Sequence, residues 1–118
     1  MSTASPRVAA FEAALAKSSQ RWAAGDAAAA FASLERAHVL GQRDFGPHLE
    51  VHLRMLSIAM SVRDWREVRG QVLRIALVPV GQLLARLPRG NTGAANVSAF
   101  APMAIPPHIE RLLDNKEP

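Results

Sequence analysis

Apolar residues recur at helical intervals through the first 88 positions, and polar breaks separate the runs. Val8, Phe11, Leu15, Ser19 and Trp22 follow a spacing of three and four, which predicts a helix opening at Ser5-Pro6. Ser5 is suited to cap it and Pro6 to its first turn, where a missing N–H costs nothing. That run stops at Gly25. Asp26 is placed to cap a second, alanine-rich helix whose stripe is Ala30, Phe31, Leu34, Ala37 and Leu40. Arg43-Asp44-Phe45-Gly46 reads as a turn, and Pro47 opens a third helix with Leu49, Leu53, Leu56 and Met60 at successive turns. Asp64 caps a fourth helix, in which Pro79 predicts a kink or stop before a continuation to Pro88. Residues 75–80 are β-branched enough for a strand, but no partner strand is evident, so helix is preferred. Trp22 and Trp65, each beside a turn, read as core anchors.

After Pro88 the period disappears. "RGNTGAANVSAFAPMAIPP" carries turn residues and scattered apolar anchors (Val97, Phe100, Met103, Ile105) before a short closing helix, "HIERLLD". The expectation is one all-α domain over 1–118. It comprises a helical bundle over 6–88, an extended crossing loop over 89–106 and a short helix over 107–114. Asp26 and Asp64 stand in like settings 38 positions apart (64 against 26). "AAGDAAAAFASLERAHVL" resembles the second helix of a tetratricopeptide unit, although "SVRDWREVRGQVLRI" lacks that family's small packing residues. The resemblance implies four helices arranged as two antiparallel, TPR-like hairpins, without a peptide-binding array.

The totals narrow the chemistry. The 118 residues are 49% apolar and contain no cysteine. A core is therefore available without staples, and thiolate zinc sites, iron–sulfur clusters and cysteine nucleophiles are excluded. Glu12 and Lys17 interrupt any apolar leader. "VLRIALVPVGQLLARL" is broken by Arg74, Gln82 and Arg86, short of the roughly 20 apolar residues a membrane span needs. The expected location is cytoplasmic. The net charge of +4 is carried by arginine, with six arginines from Arg63 to Arg89 against Asp64 and Glu67. Such a patch suits an acidic protein partner, or an anionic membrane surface through residues 71–87. Nucleic acid ranks last, because no recognition motif accompanies the charge. "GNTGAANVS" has no following Gly-Lys-Ser/Thr and no strand–turn–helix context, so a nucleotide-binding P-loop is excluded.

The candidate chemistry lies in "ERAHVLGQRDFGPHLEVHLRML". His48 and His52, four apart, share one helix face, as do Glu35 and His38, three apart on the preceding helix. A short connection folds these helices antiparallel, so the expected ligand set is Glu35, His38, His48 and His52. Gln42 and Asp44 are near enough in sequence to orient the rings, Met55 to approach the same face, and Asn91 and Thr92 to sit in a covering loop. This donor set suits zinc or iron first, with copper third. The zinc-protease pattern is absent, and the ferritin-like pattern would need a second Glu-x-x-His unit. In the competing reading the histidines are structural and the chain is a helical interaction module. Neither reading names a reaction.

"LERAHVLGQ", "HLEVHLRML", "RDWREVRGQVLRI" and "LPRGNTGAANVSAFAPMAIPP", in that order, resemble a small bacterial family known as domain of unknown function 3703. The resemblance spans nearly the whole chain after residue 20. It implies a short helical bacterial protein in which the His/Glu segment and the Gly90–Gly93 loop form one unit, and it implies no activity.

Overall fold

The computed structural model describes residues 5–84, 91–95 and 102–114. Among these residues there are five helices and no strand: α1 (Pro6–Ala23), α2 (Ala27–Gly41), α3 (Phe45–Ser61), α4 (Trp65–Leu84) and α5 (Pro107–Asp114). The helix starts are local chemistry. The Ser5 hydroxyl accepts from the Val8 amide, Asp26 from Ala29 and Asp64 from Glu67, at 3.0–3.1 Å. The two tight turns repeat each other 38 residues apart. Gly25 (φ 83°) and Arg63 (φ 59°) both take the left-handed conformation. In both, the following aspartate amide reaches back five residues, Asp26 to Arg21 and Asp64 to Ala59.

α1 pairs with α2, α3 with α4, and α2 joins the two hairpins by packing on α3. Phe11, Leu15, Leu34, Ala37, Leu40, Val51 and Met55 form the core, which α5 closes with Ile109 and Leu113. Gly41 is needed at the α1–α2–α3 junction, where a Cβ would lie 2.7 Å from the Phe11 ring.

Several sequence expectations are corrected. α3 opens at Phe45, two residues before Pro47. Proline is tolerated there because the first four N–H groups of a helix have no internal partner. Of the kink or stop expected at Pro79, the stop does not occur: Pro79 lies within α4, which continues to Leu84 as the expected continuation has it. Trp22 and Trp65 are not core anchors; they are 42% and 55% exposed. The leucine stripe of α3 is also displaced. Leu53 and Met60 face solvent, and the buried face is His48, Val51, His52, Met55 and Ala59. Leu49 and Leu53 are each one residue, about 100° of helix, from a histidine, so both sets could not point inward.

α4 packs on α3 alone among the helices. Its outer face therefore leaves Val72, Leu73, Val80 and Leu83 exposed. Residues 85–90, which include the end of the expected continuation to Pro88, and the Val97 and Phe100 anchors lie outside the described residues. No helix among the described residues is long and apolar enough to cross a membrane.

Candidate metal centre

Three of the four expected ligands meet. His38 near the end of α2, and His48 and His52 in the first half of α3, point their Nε2 atoms at one another. The separations are 3.0 Å (38–48), 3.1 Å (38–52) and 3.2 Å (48–52). The rings are 4%, 7% and 2% exposed.

The outer nitrogens settle where the protons are. His38 Nδ1 lies 2.6 Å from the Asn91 carbonyl, which only accepts, so this nitrogen donates. His52 Nδ1 donates to Gln71 Oε1 at 2.7 Å. That amide cannot be flipped, because its Nε2 already donates to Glu67 Oε2 (2.8 Å) and the Gly93 carbonyl (2.9 Å). His48 Nδ1 faces Gln82 Oε1 at 3.3 Å, and Gln82 Nε2 donates to the Arg43 carbonyl. Each neutral ring thus spends its one N–H outward, leaving three Nε2 lone pairs that converge with no hydrogen between them. Hydrogen bonds within the triangle are ruled out by this tautomer. What suits three converging lone pairs is a cation.

The triangle has the right size. With metal–nitrogen bonds of about 2.0–2.1 Å, an ion would sit about 1 Å above the plane of the three nitrogens, with angles near 100° at the metal. The set leaves at least one coordination position for another ligand. His38, His48 and His52 are the one group of three potential ligands this close among the described residues.

Burial is the main cause holding all three rings neutral. It pushes His38 well below the ordinary range, with the two neighbouring rings and Arg74 adding to the effect against the Asn91 bond. Burial also lowers His48, opposed by Gln82. It carries His52 to about 4, opposed by Gln71. An unfolded histidine titrates near 6.5. Below that pH the unfolded chain therefore binds a proton that the folded metal-free protein refuses until about pH 4. His52 stability is fully present above pH 6.5 and declines as pH falls toward 4, by about 2 kcal/mol at pH 5. Urea unfolding of metal-free protein at pH 7.5 and 5 should show this loss, and His52→Asn should reduce it. A decline unchanged in that variant would mean the ring is hydrated.

The remaining expected residues fall elsewhere. Glu35 lies outside the ligand group. Its carboxylate bonds the Thr92 side chain and is pushed above its usual range, first by burial and then by Glu67. It lines an open cavity of about 320 Å³ with Phe31, Asp64, Arg66, Glu67 and Ala94. Asp44 pairs with Arg7 at 3.0 Å, and its place as a ring partner is taken by residues of α4. Gln42 is buried at the end of α2, but the ring bonds run to Asn91, Gln71 and Gln82. Met55 packs in the apolar core.

Asn91 and Thr92 belong to a segment seated against the site. The Asn91 side chain accepts from the Gly93 amide, and the Ala95 amide donates to Glu67 Oε2, the oxygen that also takes Gln71 Nε2. Gly93 (φ 80°) lies so close to His38 that a Cβ would come within 2.5 Å of Cδ2. Gly70 plays the matching part on α4, where a Cβ would lie 2.2 Å from that of Ala95. Gln71 and Gln82 were missed at the sequence level. The available signal was Glu67, Gln71, Arg74 and Gln82 sharing one face of α4 at helical spacing, a polar row on a largely apolar helix.

Fold and site together define a small all-α protein with a buried three-histidine cluster. The chain belongs to the family described as a protein of unknown function, DUF3703, whose pattern matches residues 6–113. No curated protein and no solved structure matches it.

Proposed function

We propose that this protein binds one divalent metal ion through Nε2 of His38, His48 and His52. The observation that carries this reading is the convergence of three Nε2 atoms at 3.0–3.2 Å, each ring having an acceptor oxygen at its Nδ1. Each Nδ1 proton is committed to an acceptor on α4 or the 91–95 segment, so three unprotonated nitrogens face one point. All-imidazole ligation suits zinc or iron(II) better than copper(I), which favours the soft thioether that Met55 commits to the core. Segment 91–95 walls the site, with Asn91 fixing one ring directly and Gly93 fixing another through Gln71.

Elemental analysis of untagged protein and zinc titration by calorimetry test the reading, with one equivalent per chain expected. Gln71→Leu removes the acceptor that holds His52 and should weaken zinc by about 10–100-fold with the ligands intact. Metal-free protein that ignores zinc, iron and copper would end the proposal.

A further inference from the structure

The face of α4 turned away from α3 is apolar and carries charge of one sign. Trp65, Val72, Leu73, Ala76, Val80 and Leu83 are all exposed, Leu83 at 85%. With Arg69 among them they recur every three or four residues, forming one stripe about 27 Å long. Single exposed leucines are ordinary on a protein surface, whereas a continuous row of this kind marks an interaction surface.

Arg69 is exposed in the middle of the stripe. Arg66, which also borders the cavity of Glu35 and Glu67, is exposed at its edge. Neither guanidinium is within ion-pair distance of a carboxylate among the described residues. Glu67 is the one acidic residue from 65 to 84. Its side chain turns to the other face, where it receives Gln71 and the Ala95 amide. Asp64, before the helix, caps the Glu67 amide.

The stripe therefore asks for an apolar partner that also supplies negative charge. A second copy of the same face would add two more guanidinia and no carboxylate. We propose that α4 seats this protein on an anionic lipid surface, lying in the headgroup layer without crossing it. The leucines and valines enter the acyl boundary, and the Trp65 ring settles at headgroup level. Arg69 lays its stem along the apolar stripe and sends its charged head to the phosphates. Gln71 and Gln82 occupy the opposite face of α4, so this surface is independent of the metal reading.

Flotation of the full chain with vesicles is the test. It should float with equal parts phosphatidylglycerol and phosphatidylcholine, less so as salt is raised, and not with phosphatidylcholine alone. Arg66→Ser with Arg69→Ser should weaken binding by about tenfold or more, as should Leu73→Ser with Leu83→Ser. All four positions are exposed, and melting curves of the variants verify that they fold. Independently of them, Trp22→Phe leaves Trp65 as the only indole, and its emission should move to the blue on anionic vesicles. Protein left off the anionic vesicles would overturn the proposal and leave the stripe to an acidic protein. Binding equal in wild type and both double variants would overturn it too. So would a dimer in sedimentation that Leu73→Ser with Leu83→Ser dissociates, since the stripe would then belong to a second copy.

Discussion

Replacing His48 and His52 together by alanine should abolish the stabilisation that zinc gives this protein. A ligand at a thousand times its dissociation constant stabilises the folded state by about 4 kcal/mol. For a chain of this length that corresponds to a rise in melting temperature of roughly 12–20 °C. The double variant retains a single ring, His38, which cannot hold the ion alone, so its melting temperature should be the same with and without zinc. Metal-free, it should not suffer to match. It loses two buried rings, but it also loses the convergence of three lone pairs at 3.0–3.2 Å. Differential scanning calorimetry with and without zinc reads both effects. A zinc-induced shift that survives the double substitution would place the binding somewhere else.

Gly93→Ala should be the most damaging single change at the site, costing about 3 kcal/mol. Two effects combine. The backbone sits at φ 80°, where a side chain is strained, and the new methyl would lie 2.5 Å from the His38 ring. Gly25 separates these effects. It has nearly the same φ, 83°, but nothing lies within 4 Å of its would-be Cβ. Gly25→Ala should therefore cost only the conformational part, about 1 kcal/mol. Urea midpoints of the two variants give the comparison. Zinc affinity should fall in the Gly93 variant alone, because only there is a ligand ring displaced. Equal costs would show that the 91–95 segment does not bear on His38.

These expectations draw on different depths of information. The helix boundaries at Ser5, Asp26 and Asp64 were legible because a cap is a contact between neighbours in sequence. The convergence of His38, His48 and His52 was legible for a similar reason, since two spacings on helices joined by a short turn leave few arrangements. The ring partners were not. Asp44 and Gln42 were chosen for being near in sequence, yet the acceptors that hold the rings lie 19 to 53 positions away. Glutamine has no spacing rule that announces such a role. The third helix misled because leucines were assigned to the interior by type, whereas the buried face went to the residues that α2 and α4 both approach.

The sequence alone determined the helices, their antiparallel pairing and which three imidazoles could share a point, because caps, turns and helical period act over a few residues. Only the tertiary structure decided which face of α3 turns inward, that Glu35 stands apart from the rings, and that α4 and residues 91–95 take the three Nδ1 protons. Those outcomes depend on acceptors brought from distant parts of the chain. The protonation state of the whole cluster follows from their positions.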